Sequence, residues 1–262
     1  MALDTNRIQG RLCIITGAAK SIGFEIAKRY LDYGARVVLL DIDPKVVERA
    51  EELKKAGYQA FGIVLDVTNR KEVLRVFSGI IEEFGDVFAL VNSAGIADVR
   101  HFEEVTEEIW ERMFKVNVFG TAYCIQGVIE NMKKNNAGRI INFSSKAGKE
   151  GSSLMTCYGA SKGAIITLTQ ALAKEFAKFH IHINCLCPDI TDDTGVWDVV
   201  RARYTENLRL DENEVIKMYT DKVPLGRFVS KEDIADIVTF YTISGDSCTG
   251  QAINVTGGRT MH

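Results

Sequence analysis

The sequence is short of proline, of basic charge and of long apolar runs, and each shortage narrows what the chain can be. Only three prolines occur in 262 residues, Pro44, Pro188 and Pro224, and each falls at the border of an expected helix or strand. No apolar stretch approaches the ~20 residues that a membrane-spanning helix needs. The opening MALDTNRIQGRL has no apolar signal core. The expectation is a cytoplasmic chain without a membrane partner. Lys and Arg number 32 against 35 Asp and Glu, a net charge of −3, and no basic run stands out. Nucleic acid is therefore not an expected partner. There is no linker, internal repeat or low-complexity segment. The six cysteines (Cys13, Cys124, Cys157, Cys185, Cys187, Cys248) lie mostly within apolar segments, which suits reduced, buried thiols. His182, Cys185 and Cys187 read as one strand whose residues alternate faces, so the convergent ligands of a metal site are not expected there.

What the chain does have is apolar content, 46% of residues, enough for a sizeable core and too much for disorder. Residues 1–262 are read as one domain. Apolar strands are expected at 12–16, 36–40, 59–65, 87–91, 139–143, 181–187 and 250–255. Helical periodicity follows the first strand through Phe24, Ile26, Ala27, Tyr30 and Leu31. It returns at 44–56, 69–84, 106–133, from about Tyr158 to 179, and at 231–243. Residues 189–222 are polar, with helical patches. Seven apolar strands separated by helices imply a doubly wound parallel sheet, an α/β fold with helices on both faces.

Two spacings point to a dinucleotide. Gly17-Ala18-Ala19-Lys20-Ser21-Ile22-Gly23 joins the first strand to the first helix. Gly17 permits the turn, Gly23 permits close helix–strand packing, and free N–H groups at the helix start can face a pyrophosphate. The second strand ends in Asp41, whose carboxylate suits a ribose 2′-hydroxyl and repels a 2′-phosphate. Lys20 pulls toward a phosphate, but Asp41 is the stronger influence. NAD is therefore expected ahead of NADP.

The chemistry centres on Tyr158 and Lys162. At i and i+4 of one helix, phenol and ammonium share a face. A cation near a phenol lowers its pKa from about 10 and readies it for proton exchange with an alcohol. The Ser145 hydroxyl is placed to hold the substrate oxygen. Gly17, Asp41, Asp66, Asn92, Ser145 and Pro188 all fall at carboxyl ends of strands, where ligands of such sheets bind.

With Thr16-Gly17-x3-Ser21-x-Gly23, Asp66, Asn92-Ser93-Ala94-Gly95, Asn117, Ser145, Tyr158-x3-Lys162 and Asn254-Val255-x-Gly257-Gly258 in view, the chain resembles the short-chain dehydrogenase/reductase family over nearly its whole length. The resemblance implies a Rossmann domain with Tyr158 as general acid/base and Lys162 lowering its pKa and binding the nicotinamide ribose. It further implies that Ser145 orients the substrate oxygen and that Asn117 holds a water in a proton relay. Gly17, Lys20, Ser21, Ile22, Gly23, Asp41, Ile42, Asp66, Val67, Asn92, Ala94, Gly95, Pro188, Ile190 and Thr191 would bind cofactor, together with Tyr158 and Lys162. Either Thr191 or Thr194 would meet the nicotinamide amide. A homotetramer is the family expectation. Two positions depart from the pattern: Ser21 stands where glycine or alanine is usual, and Asp189 where glycine is.

The stretches around Ser145, at 222–227 and at 248–258 are similar to polyol dehydrogenases, sorbitol-6-phosphate 2-dehydrogenases among them. The expected reaction interconverts a secondary alcohol, such as that of sorbitol or sorbitol 6-phosphate, and a ketone. Ser145, Lys146, Lys149, Asp189 and Trp197 are the candidate substrate contacts. Lys146 and Lys149 argue for a phosphorylated substrate, whereas Asp189, Asp192 and Asp193 argue for a neutral one. Alternatives are a meso-2,3-butanediol/acetoin enzyme, a ketoacyl-carrier-protein reductase, or a catalytically silent NAD sensor. A lid over 189–210, mobile without cofactor, is also expected.

Overall fold

A computed structural model describes residues 4–192 and 194–262. Asp193 lies outside the described residues. Seven strands form one parallel sheet: β1 (Leu12–Thr16), β2 (Arg36–Asp41), β3 (Ala60–Val64), β4 (Val87–Asn92), β5 (Gly138–Phe143), β6 (Ile181–Pro188) and β7 (Ala252–Val255). Their order is β3-β2-β1-β4-β5-β6-β7. Every residue of β1, β4 and β5 is buried, because helices cover both faces. That is why β1 and β4 read as nearly unbroken apolar runs rather than alternating ones, while β5 buries Arg139 and Asn142 among its apolar residues. Alternation survives in the destination of each side chain. Cys13, Ile15, Val37 and Leu39 pack into one core layer, and Leu12, Ile14, Val38 and Leu40 into the other.

Helices α1 (Ser21–Asp32), α2 (Lys45–Lys55), α3 (Arg70–Phe84), α4 (Glu107–Phe114), α5 (Thr121–Lys134), α6 (Ala147–Glu150), α7 (Thr156–Phe176), α8 (Gly195–Leu208), α9 (Glu212–Thr220) and α10 (Lys231–Ile243) connect and cover the strands. Strand order reverses between β1 and β4, which opens a crevice at their carboxyl ends. The helix expected over 106–133 is interrupted: Lys115–Gly120 forms a π-helical turn between α4 and α5. A Cβ on Gly120 would stand 2.7 Å from Val67 Cγ2, so the glycine lets this turn close against the β3–α3 connection.

Within the polar segment 189–222, the described residues form more helix than the composition suggests. They form α8 and α9, whose Trp197, Val200, Tyr204, Val215 and Tyr219 pack with Val99, Met113, Ala147 and Met155. Thr194 caps α8 by accepting Trp197 N–H, and a capping box of Asp211 and Glu214 starts α9. Among the described residues, no helix is long and apolar enough to cross a membrane. All six cysteines are unpaired, and only Cys248 is partly exposed.

Candidate active site

A cavity of about 610 Å³ lies along the carboxyl edge of the sheet. From the β1–β4 side it is lined by Gly17, Lys20, Ser21, Ile22, Gly23, Asp41, Ile42, Asp66, Val67, Ala94 and Gly95. From the β5–β6 side come Ser145, Lys146, Tyr158, Lys162, Pro188, Asp189, Ile190, Thr191 and Trp197. Folding thus brings most of the expected site residues to one wall-to-wall space.

The β1–β4 end fits a dinucleotide. Gly17 has φ +67°, and a Cβ on Gly23 would stand 2.2 Å from the Gly17 carbonyl oxygen, so only glycine permits this turn and this packing. The first bond of α1 runs from Phe24 N–H to Lys20 O at 3.3 Å. The N–H groups of Ser21, Ile22 and Gly23 therefore stand free at the positive end of the helix, where an anion is stabilised. Asp41 is held by its own neighbours: Oδ2 accepts Ala19 N–H and Oδ1 accepts Asp43 N–H, both at 2.9 Å. The carboxylate is fixed at the rim with lone pairs left for two vicinal hydroxyls. Asp66 Oδ1 accepts Thr68 N–H at 2.8 Å and sets the next turn beside Val67. Lys20 crosses the crevice, its Nζ 4.0 Å from where a Cβ of Gly195 would lie. Ser21 carries the cost of replacing a glycine, for its φ is +59°, in the region that disfavours L side chains.

At the other end, α7 presents Tyr158 and Lys162 on one buried face, with 7% and 5% of their surfaces exposed. Lys162 Nζ donates to the Phe143 carbonyl at 2.8 Å and lies 5.7 Å from the centre of the Tyr158 ring. Burial lowers the Lys162 ammonium from 10.5 to about 8. For Tyr158 the expected direction is reversed. Burial raises the phenol above its ordinary value, and the Ser145 hydroxyl beside it offsets this only in part. The expectation treated Lys162 as a cation aimed at the phenol oxygen. Its ammonium is instead anchored on the end of β5.

Two further expectations, for Asn92 and Lys149, are corrected by the geometry. Asn92 does not reach the cavity: its Nδ2 donates to Asn142 Oδ1 at 2.9 Å, and Asn142 donates on to Thr169 Oγ1 at 2.9 Å, a buried polar chain joining β4, β5 and α7. Asn117 is also off the cavity. Its Oδ1 accepts Ile96 N–H at 2.9 Å, and its Nδ2 donates to Ile96 O and Ser161 Oγ at 3.0 Å. Ser161 Oγ donates to the Tyr158 carbonyl at 2.7 Å. The Asn117 side chain thus braces the loop after β4 against the turn of α7 that carries Tyr158. Lys149 turns away altogether, donating to the Ala252 carbonyl at 2.7 Å. Lys146 does line the cavity, paired with Glu150 at 3.2 Å. Of the two candidate threonines, Thr194 spends its hydroxyl on Thr191 O and Trp197 N–H, while Thr191 donates to Asp189 O.

The sequence reading missed Arg259, Tyr219, Val196 and Val199, all of which line the cavity. For Arg259 a signal existed, since it directly follows the Gly257-Gly258 pair, and a double-glycine turn redirects the next side chain. For the valines the signal was hidden, because the surrounding polar residues sit on the outer face of α8.

The family model for short chain dehydrogenases matches residues 11–205. The chain belongs to the short-chain dehydrogenase family. As a member it is an NAD(P)-dependent oxidoreductase. It is 34% identical over 257 residues to galactitol 2-dehydrogenase of Agrobacterium fabrum, covering 97% of this chain and 99% of the relative. It is 34% identical over 255 residues to diacetyl reductase [(S)-acetoin forming] of Staphylococcus epidermidis, covering 95% and 98%. Among solved structures, NAD+-bound xylitol dehydrogenase superposes with a TM-score of 0.91 at 27% identity, covering 96% of this chain and 100% of that one. A polyketide ketoreductase with NADPH superposes at 0.92 and 29% identity, covering 100% of both. This short-chain dehydrogenase therefore stands in a neighbourhood of polyol and small-ketone enzymes whose structures include both cofactors.

Proposed function

We propose that this protein is an NAD-dependent dehydrogenase that interconverts a secondary alcohol of a neutral sugar alcohol and the corresponding ketone. The observation that carries this reading is one cavity holding Ser145, Tyr158 and Lys162 at one end and the fixed Asp41 carboxylate at the other. Asp41 supports NAD, because a 2′-phosphate there would face like charge and lose two hydroxyl bonds. When bound, the nicotinamide supplies the acceptor for the two electrons and hydrogen leaving the carbinol carbon. Ser145 Oγ donates to the substrate oxygen and steadies its charge as the carbonyl forms. Tyr158 Oη accepts the hydroxyl proton. The phenolate that this requires is favoured by the Ser145 hydroxyl and opposed by burial, while the Lys162 ammonium, mostly charged at pH 7 with a pKa of about 8, is held beside the ring on the Phe143 carbonyl. Asn117 acts at one remove, through Ser161, on the position of Tyr158.

A neutral substrate fits better than a phosphorylated one. Lys149 is committed to a backbone carbonyl, Lys146 to Glu150, and Arg259 to Asp189. The test is cofactor reduction, followed by its absorbance, on sorbitol, sorbitol 6-phosphate, galactitol, xylitol and meso-2,3-butanediol, each with NAD and with NADP. Turnover of free polyols with NAD is the expected result. Turnover restricted to the phosphate ester, or to NADP, would refute it. A second reading, reduction of small diketones, is favoured by the apolar inner face of α8, where Val196, Trp197 and Val199 line the cavity. Turnover of the diol alone would select it.

We propose a homotetramer as well, supported by exposed apolar residues Phe119 on the π-helical turn before α5 and Phe240 on α10 and by the family resemblance. A monomer in light scattering at micromolar concentration would refute this.

A further inference from the structure

We propose that the Asp189–Arg259 pair selects the substrate, binding the additional hydroxyl or carbonyl oxygens that a polyol carries beside its reacting carbon. The inference rests on the alcohol dehydrogenase reading above and adds the residues that would set its specificity.

The tail after β7 is built to deliver Arg259. Gly257 and Gly258 have φ of +60° and +91°, and a Cβ on Gly257 would stand 2.5 Å from Val223 Cγ1. Thr256 Oγ1 donates to Thr260 O and accepts Thr260 N–H, both at 3.1 Å, and Arg259 N–H donates to Thr256 O at 3.1 Å. The loop is closed on itself, and the side chain between these bonds points back into the cavity. Its guanidinium lies 5.2 Å over the Tyr219 ring, with 13% of the side chain exposed. One nitrogen, Nη1, donates to both Asp189 oxygens, at 3.1 and 3.0 Å. Nη2 and Nε make no hydrogen bond among the described residues, and their three N–H groups remain for a ligand.

The pair also sits where a substrate must lie. Asp189 follows Pro188, whose carbonyl accepts Lys146 N–H at 2.9 Å, and Asp189 lines the same cavity as Ser145, Lys146 and Tyr158. A buried ion pair contributes little net stability compared with apolar packing, and the tail is already tied by its threonine bonds. Burying one with spare donors facing a cavity has a clear use in recognition: unfilled, those donors penalise any substrate lacking the matching oxygen. Because the two charges cancel, the element suits a neutral oxygen-rich ligand over an anion.

The test compares wild type with Arg259→Met, which keeps the stem over Tyr219, Arg259→Lys and Asp189→Asn. Each is assayed for kcat and KM on the preferred polyol and on 2-butanol, with the Kd for NAD measured by calorimetry. Arg259→Met should lower the polyol to 2-butanol ratio of kcat/KM by about tenfold to a hundredfold, mainly through KM, as loss of a charged hydrogen bond does. NAD affinity should hold, and Arg259→Lys should recover part of the ratio. Should Arg259→Met fold poorly, Asp189→Asn keeps the charge but frees it, and should shift the same ratio. Equal losses on both alcohols would show a structural tie and overturn the proposal. Absence of wild-type turnover on every alcohol, with NAD bound, would instead overturn the dehydrogenase reading and this inference with it.

Discussion

Lys162 offers the sharpest test because its burial has a thermodynamic signature separate from catalysis. The ammonium is buried and falls from 10.5 to about 8, desolvation being the main cause. Folding therefore disfavours the charged form, and between these two values the unfolded chain binds more protons than the folded one. By linkage, stability rises as pH climbs through this window. At ~1.4 kcal/mol per pK unit, charged Lys162 costs about 3 kcal/mol at pH 7. Roughly 2 kcal/mol of this should be recovered by pH ~9.5. Lys162→Met removes the titration altogether, though it leaves the Phe143 carbonyl without its 2.8 Å donor, which costs about 1–3 kcal/mol at any pH. The absolute effect of the variant near neutrality should therefore be small, while its pH dependence should be large. Denaturant unfolding of both proteins, without cofactor, should show the wild type gaining about 2 kcal/mol on the variant from pH ~7 to ~9.5. Other alkaline groups are common to both and cancel. Parallel stability curves would refute the argument, showing that water reaches the ammonium or that a counter-charge replaces it.

The other predictions address single residues. Tyr158→Phe should lower kcat by about 10²–10⁴, the range of positioned acid–base catalysis, with NAD affinity retained; full turnover would remove Tyr158 from the mechanism. Ser21→Gly should stabilise the protein by about 1 kcal/mol, since relief of an L residue at φ +59° outweighs the entropy that glycine adds to the unfolded chain; an unchanged unfolding midpoint would refute the strain. Gly23→Ala should abolish NAD binding or folding, because its Cβ would stand 2.2 Å from the Gly17 oxygen and both atoms belong to fixed backbone; a normal calorimetric Kd would refute this. Lys149→Ala should leave KM for sorbitol 6-phosphate unchanged, since its ammonium is bound to Ala252 O; a large rise would restore it as a phosphate ligand.

The sheet was legible because strands buried on both faces are mostly apolar, and β1, β2, β4, β5 and β6 each carry an apolar run. The glycine turn and Asp41 were legible for a related reason: backbone conformation and charge limit which residues can occupy those positions. Side-chain direction was not legible. Asn92 lies one residue from the cavity and yet points between strands. Lys149 lies four residues beyond Ser145 and reaches the far side of β7. Neither sequence spacing nor residue type encodes which way such a side chain turns once tertiary partners compete for it. The Tyr158 pKa failed for another reason. The i, i+4 spacing gave the approach of the lysine correctly, but the cost of burying the phenol is a property of the whole fold and outweighs one helical neighbour.

Three departures from local rules share a location. Ser21 is in a left-handed conformation, Lys162 is a charge without a buried counter-ion, and Asp189–Arg259 is a charge pair inside a cavity. Each is unfavourable taken alone, and each lies at the carboxyl edge of the same sheet. Other departures lie elsewhere: Asn136, Leu154, His180 and Arg209 also have positive φ, and Arg139 Nε, Asn92 Oδ1 and Asn254 Oδ1 are buried without a partner among the described residues. The three at this edge are relieved when something there supplies what they lack. For Ser21 that is an anion at a helix start, and for Tyr158 and Lys162 it is an alcohol oxygen to share a proton with. For Arg259 it is further oxygen on the same ligand. These three needs are met together by a dinucleotide and a polyol lying end to end in one cavity. That joint requirement carries the functional reading further than the Tyr158–Lys162 spacing does, because spacing alone is common on helices and this combination of local costs is not.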